Sequence, residues 1–244
     1  MIQKRLVKIG LVVVILGLVL LFPARVAYRW FAPPEFLASG ISGSVWNGHA
    51  QEAMANGFYL RDLNWDFQAM RLLTGKLAFA VDTKFASGFA EGNVAVGLGG
   101  SVYASNFSGA LPLEAIQSIP AIRGTRGMLS LEFDELQVSD GLPVVADGYF
   151  EIAGLSNPLI YREPIGGFRA EFFSQDSGIV ASIEDTAAVI DLAGSLKLSE
   201  DGTYEFLAQI SPLDSTPAAL REQMRFLGSA NERGQHELRL EGKL

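Results

Sequence analysis

From residue 35 to the end, short runs of alternating apolar and polar residues follow one another, separated by glycine-rich breaks. Leu77, Phe79 and Val81 alternate with polar or small neighbours, and so do Val94, Val96 and Leu98. The same spacing returns at Leu129, Leu131 and Phe133, at Phe168, Ala170 and Phe172, and at Ile179, Ala181 and Ile183. It returns again at Tyr204, Phe206, Ala208 and Ile210, and at Leu238 and Leu240. A period of two places every second side chain on one face of a strand, so each run predicts a strand with one apolar face. Asp140-Gly141, Asp147-Gly148 and Asp201-Gly202 are predicted turns between them. The economical fold is mainly β, an antiparallel meander of about a dozen strands forming a curved sheet or a sandwich.

Helical spacing is scarce in this region. The clearest helix begins with Thr216 as N-cap and Pro217 at the first helical position, repeats Leu220, Met224 and Leu227, and stops at Gly228. A shorter helical turn is expected over 113–119, between Pro112 and Pro120. An element of glycine, any residue and leucine opens a run at Gly75, Gly127 and Gly194, with unequal spacings of 52 and 67 residues. Regular solenoids keep a fixed period, so chance and a hairpin repeat both remain open. With so few helices as cover, the apolar strand faces must pack on a second sheet or line an open apolar groove.

The N-terminal pattern is different. Residues 9–22 are 14 consecutive apolar or glycine positions. From Leu6 to Ala27 there are 22 positions, about 33 Å of helix against a hydrocarbon core of about 30 Å. One transmembrane helix is expected to precede the sheet. Lys4, Arg5 and Lys8 flank one end, Arg25, Tyr28 and Trp30 the other, where long basic side chains and aromatic rings suit the headgroup region. Pro23 ends or kinks the helix. A cleaved export signal is the alternative, but cleavage after Ala27 would place Arg25 at the −3 position, where a small residue is wanted. The excess of basic residues before the span puts the N-terminus in the cytoplasm. Residues 1–31 are thus read as cytoplasmic tip and anchor, and 32–244 as a periplasmic β-rich domain.

Charge sharpens this division. Of 19 Lys and Arg, five lie in residues 1–31, where no acidic residue occurs, so the remainder carries 14 basic against 27 acidic residues, or −13. Nucleic acid and anionic lipid headgroups would repel it, whereas a basic protein surface would suit it. The chain has no cysteine, which excludes disulfides, thiolate metal sites and a cysteine nucleophile. His49 and His236 lack metal-ligand partners at helical or hairpin spacing, and His49 reads as a solvated loop residue. No nucleophile elbow, P-loop or dinucleotide fingerprint occurs, and Gly97-Leu98-Gly99-Gly100 reads as a strand end. The acidic pairs at 134–135, 184–185 and 200–201 read as solvated charge, since strand neighbours point to opposite faces. Asn106-Phe107-Ser108 matches a three-residue glycosylation sequon, too short to weigh. No cofactor is expected.

The segment from Ile41 to Ala50, with Gly43, Val45, Trp46, Gly48 and Ala50, resembles the type II secretion system protein N family, in which an anchored chain enters its periplasmic domain through a Gly-Thr-hydrophobic-Trp-x-Gly-x-Ala sequence. Ser44 stands where threonine is usual. Trp65 within 63–67, then Leu72-Leu73-Thr74-Gly75-Lys76-Leu77, resembles the family's second tryptophan strand and its Leu-Leu-x-Gly-x-Leu step. Gly194-Ser195-Leu196, residues 201–204, Leu227-Gly228, Gly234 and Leu238 are also similar, so the likeness covers nearly the whole chain. Read from the residues alone, Gly43 and Gly48 bracket a short strand, and Trp46 buries its ring while its N–H seeks a carbonyl. Trp46 and Trp65 read as packing rather than partner contact.

The resemblance implies a non-enzymatic accessory subunit of the inner-membrane secretion platform, single-pass and mostly periplasmic, contacting other platform subunits. The alternative is a periplasmic apolar-groove protein that binds or conducts lipid, which follows from many amphipathic strands with little to cover them.

Overall fold

The computed structural model describes every residue except 1, 56, 57, 86, 117–121 and 160. Two helices, α1 (Ile2–Leu20) and α2 (Ala24–Phe31), lead into the strands. The strands are β1 (Phe36–Ser39), β2 (Ser42–Gly43), β3 (Asn47–Ala55), β4 (Phe58–Phe67), β5 (Lys76–Phe85), β6 (Gly88–Gly97) and β7 (Val102–Pro112). They continue as β8 (Arg126–Ser139), β9 (Leu142–Asn157), β10 (Tyr161–Gln175), β11 (Gly178–Asp185), β12 (Ile190–Leu198), β13 (Thr203–Pro212) and β14 (His236–Lys243), with α3 (Ala218–Met224) before the last. All belong to one 14-stranded antiparallel sheet in chain order, with β2 pairing only to the side of β3. Each of the seven alternating runs falls on a strand, except that Leu98 lies just beyond β6 and is 95% exposed.

No second sheet packs on the first among the described residues, so of the two arrangements expected, the curved sheet is the one formed and the sandwich is not. β1 and β14 each pair with a single strand and not with each other, so the barrel is not closed. The pairing register makes the division of faces explicit. Trp65, Val81, Gly92 and their neighbours Phe67, Phe79 and Val94 share one face. That face runs on through Phe107, Phe133, Gly148 and Phe172 to Ala181, Leu196, Phe206 and Leu240. The opposite face carries Asp66, Asp82, Glu91, Ser108, Glu132, Tyr149 and Glu171 in the matching positions. One face is therefore mainly apolar and the other mainly polar, with Phe89 and Phe173 exposed on the polar one, as expected for a single layer.

A line of irregular residues creases the sheet. Asp62 and Asn106 have φ of 51° and 47°, Gly92 and Gly148 have φ of 157° and 151°, and register shifts lie beside them. Extra residues on adjacent strands flip the alternation together, so the apolar set stays on the same side while the strands bend. The bend makes the apolar face the concave one. Phe58 and Phe85 from β4 and β5 pack on the same buried cluster, Leu111, Leu113 and Ile116, as Ile152 and Leu155 from β9. A 3-10 turn at Leu113–Ile116 thus plugs one end of the trough; the rest of the helix expected over 113–119 lies outside the described residues.

Several boundaries differ from the sequence reading for physical reasons. Asp140-Gly141 is a two-residue hairpin turn with φ of 51° and 81°, and Gly202 turns the chain between β12 and β13. Asp147-Gly148 is not a turn but lies inside β9, opposite the bulge that Asp134 makes in β8; a Cβ on residue 148 would lie 2.3 Å from the Glu132 carbonyl oxygen, which requires glycine there. Gly75 ends a 3-10 turn immediately before β5, whereas Gly127 lies within β8 and Gly194 in the middle of β12, so the glycine-x-leucine element is no structural repeat. The C-terminal helix begins at Ala218, after Pro217. Thr216 does not cap it: its hydroxyl donates to the Val189 carbonyl and accepts from the Leu213 N–H at 2.7 Å, tying the connection back to the β11–β12 loop. Gly228, with φ of 104°, ends the helical stretch as expected.

The N-terminal helix is shorter than the 22-position span. α1 stops at Leu20, a turn at Leu21–Phe22 follows, and Pro23 precedes α2. Lys4, Arg5 and Lys8 fall within the 19 residues of α1, leaving an uncharged stretch of 12 residues from Ile9 to Leu20, about 18 Å long at 1.5 Å per residue. No described helix is long and apolar enough to cross a membrane.

Candidate functional site

The residues singled out in the sequence converge on the junction between the N-terminal helices and the sheet. Gly43 and Gly48 pair across a hairpin whose turn is Ser44–Trp46; they face each other rather than bracketing a strand. Each position requires glycine for a different reason. Gly43 has φ of 82°, and a Cβ there would lie 2.5 Å from the Asn47 carbonyl oxygen. At Gly48 a Cβ would lie 2.3 Å from the Trp65 ring, so the missing side chain is the seat of the indole. The Trp65 N–H donates to the Val45 carbonyl at 3.1 Å and to that of Ser44 at 3.3 Å, which locks the turn.

The turn then grips the helices. The half-buried Trp46 donates its indole N–H at 2.8 Å to the Val19 carbonyl, in the last turn of α1, which otherwise accepts a long 3.3 Å bond from the Phe22 N–H. Its ring packs on Phe67, at 4.8 Å between centroids, and Phe67 packs on Phe79 at 5.4 Å. The Val45 N–H donates to Phe22 O at 3.0 Å, and Pro23 bridges to Ser44. From the other side, Arg25 Nε donates to the Ile41 carbonyl, and the Tyr28 hydroxyl accepts the Ala38 N–H at 3.1 Å. Arg25 and Tyr28, read as membrane flank, are thus engaged with the sheet. Trp30 and Arg29 remain exposed on α2, and Lys8 is exposed on α1.

Between α2 and strands β1–β6 lies an apolar cavity of about 560 Å³. Tyr28 and Phe31 of α2 line one side; Trp65, Leu77, Phe79, Val94 and Val96 line the other. Ala50 is buried at its base beside Ala24 and Ile41. Its two polar groups, the Tyr28 hydroxyl and the Trp65 N–H, already have partners. The opposite face of the same strands bears a polar hollow of about 620 Å³ lined by Asp66, Asp82, Glu91, Asn64 and Asn93, with no lysine or arginine. His49 lies in it, on β3 rather than in a loop, with Nδ1 2.8 Å from Asn64 Oδ1. Asn64 in turn donates to Asp82 at 2.9 Å.

The profile of the family described as "Type II secretion system (T2SS), protein N" matches residues 34–239. The chain belongs to this family. It is 30% identical to type II secretion system protein N of Vibrio cholerae over 257 aligned positions, covering 99% of this chain and 100% of the relative. Against the proteins of the same name from Aeromonas hydrophila and Pectobacterium carotovorum the identities are 25% and 23%, covering 99% and 91% of this chain and 99% and 90% of those relatives. No solved structure matches the chain. The family match begins at residue 34 and ends at residue 239, so it takes in the gripping hairpin and the sheet as far as the first half of β14, but not α1 or α2.

Several of the remaining candidates have local structural partners. His236 Nδ1 lies 2.8 Å from the Gly228 carbonyl oxygen. Asp185 accepts the Leu192 N–H at 2.8 Å. Asp201 accepts the N–H and hydroxyl of Thr203, and these bonds hold its carboxyl below the usual aspartate range. Asn106 sits at a bulge of β7, and Asp134 opposes it at the matching shift of β8. Hydrogen bonds to Glu52 and Glu132 raise the Tyr59 and Tyr149 hydroxyls above the usual tyrosine range, both on the polar side. Among the described residues no group of three His, Asp or Glu is placed to hold a metal ion. Sequence reasoning missed Arg25 as a clasp and Leu113 as a plug; neither contact leaves a local pattern, because each depends on how distant strands curl.

Proposed function

We propose that this chain is a non-catalytic, membrane-anchored accessory subunit of the type II secretion apparatus, contributing to export of proteins across the outer membrane through contacts with other inner-membrane subunits. The observation that carries this reading is the family match across 34–239, with relatives named for the same system that align over nearly their full length. Residues 1–31 serve as cytoplasmic tip and anchor and 32–244 as the periplasmic domain. α1, with 19 residues, is about 28 Å long. Lys4, Arg5 and Lys8 fall in its first two turns, and the exposed Lys8 suits the headgroup region of a thin or locally thinned bilayer. Trp30 and Phe31, exposed on α2, suit the other interface.

The polar hollow on the outer face supports partner binding. Its carboxylates Asp66, Asp82 and Glu91 face solvent without a basic counterpart in the lining, which favours a basic surface on the partner. Deleting the gene is expected to lower exoprotein release or the level of a platform partner, and photo-crosslinkers placed through residues 40–75 are expected to capture a platform subunit. Reversing charge with Asp82→Lys and Glu91→Lys should abolish that capture while leaving the protein folded. Unchanged secretion together with no captured subunit contradicts the proposal. Alkaline carbonate extraction tests the anchor: the chain should stay with the membrane, and release of the intact chain would overturn that part.

A further inference from the structure

The apolar cavity beneath α2 belongs to neither the gripping hairpin nor the polar hollow, and its chemistry restricts what can enter it. No charged side chain lines it; the Trp65 N–H is already donated to Val45, and the Tyr28 hydroxyl already accepts the Ala38 N–H. A polar or peptide ligand would therefore lose its hydration there and find, among the lining side chains, little beyond the Tyr28 O–H to replace it. The space lies between a helix and a sheet, so it is a slot rather than an open face; a second sheet could not enter it. A slender hydrocarbon chain meets all of these conditions.

Charge at the mouth identifies the other end of the ligand. A neighbouring hollow shares Tyr28, Ala38 and Ile41 with the slot and is lined by Arg25 and Arg29, with no acidic residue in the lining of either. Arg25 is fixed by its bond to Ile41, while Arg29 is exposed on the next turn of α2. Two guanidinium groups beside an uncharged slot complement an anionic headgroup attached to apolar tails.

We propose that the slot between α2 and β1–β6 holds the acyl chains of an anionic phospholipid, with Arg25 and Arg29 facing its headgroup. The proposal rests on the reading of α1 as an anchor only for how lipid is delivered. The junction at Leu21–Pro23 places α2, and hence the mouth, directly after the apolar helix.

The test uses the full chain reconstituted in phosphatidylglycerol vesicles, with a photo-crosslinking residue at one of three positions. Val94 faces the slot, Asn93 is its neighbour on the polar face, and Val14 lies on α1. Crosslinks to phospholipid are expected from Val94 and Val14 and not from Asn93. Filling the slot with Val96→Trp should remove the Val94 crosslink without changing the one at Val14. Arg29→Gln should lower it about five-fold in phosphatidylglycerol vesicles and leave it unchanged in phosphatidylcholine vesicles. Lipid capture at Val94 with none at Val14 supports the slot while refuting the anchor. Capture at Val94 no greater than at Asn93 overturns the proposal, and so does a Val94 crosslink to a second copy of this chain or to an apolar peptide.

Discussion

Val96 and Ala181 lie on the same face of the same sheet, yet Val96 is 46% exposed and Ala181 is 1% exposed. Around Ala181 the sheet closes on itself. β9 and β11 approach within 8 Å across β10, where a flat sheet would hold them nearly 10 Å apart. Phe133, Phe150 and Phe172 stack there at 5.5 to 5.9 Å, and Ile179 and Leu198 are buried beside Phe172 and Tyr204. Around Val96 the same alternation is covered by α2, which stands off the sheet and leaves the slot. Curling buries apolar residues directly against their neighbours, whereas a covering helix leaves as much space as its side chains do not fill; α2 contributes Ala24, Ala27, Tyr28 and Phe31 to that side.

The sharpest way to break this contrast is to remove the curl. Gly148→Ala introduces a Cβ against the Glu132 carbonyl at a φ of 151°, and it is expected to cost about 3 kcal/mol, read as a lowered urea midpoint and exposure of the C-terminal aromatic residues. Next in size, Ala181→Trp forces a ring into the closed half and should cost about 2–3 kcal/mol, while Val96→Trp, entering the slot, should change stability by less than about 0.5 kcal/mol. Equal effects of the two tryptophans would mean the halves are packed alike.

Trp46→Phe keeps the ring against Phe67 but removes the bond to Val19. A loss of about 1 kcal/mol is expected, with faster proteolysis at Leu21–Phe22 as α1 works loose and no change in the C-terminal half. The smallest effect is at the β12–β13 turn. The Asp201 carboxyl is held below its unfolded value by Thr203, so its contribution to stability is present above the unfolded value near pH 3.9 and is lost as pH falls through the lower folded value. Asp201→Asn should flatten that part of the acid titration of the urea midpoint.

Much of the fold could be read from the chain because alternation is a local signal. Phe79 and Val81, or Leu129 and Leu131, announce their strand without reference to any partner. Asp140-Gly141 and Asp147-Gly148 carry the same dipeptide, and only pairing with β8 places the second inside a strand, opposite the bulge at Asp134. The family motif was recognisable, but its use was not: Trp46 finds its acceptor 27 residues away, on a helix whose position no spacing encodes. Alternation is also identical for a sandwich and for a single curled layer, so the open slot became visible only in three dimensions. The continuous 22-position helix failed at Pro23, a residue that signals a break without saying whether the helix resumes in line.

Because the natural chain has no cysteine, a single thiol reports one site at a time. Rates of reaction of Val96→Cys and Ala181→Cys with a small neutral maleimide compare the two halves directly. The thiol at 96 should react within about an order of magnitude of an unfolded control and be slowed by phosphatidylglycerol, while the thiol at 181 should react only as fast as the protein unfolds. Equal protection of both thiols, with no effect of lipid, would contradict it.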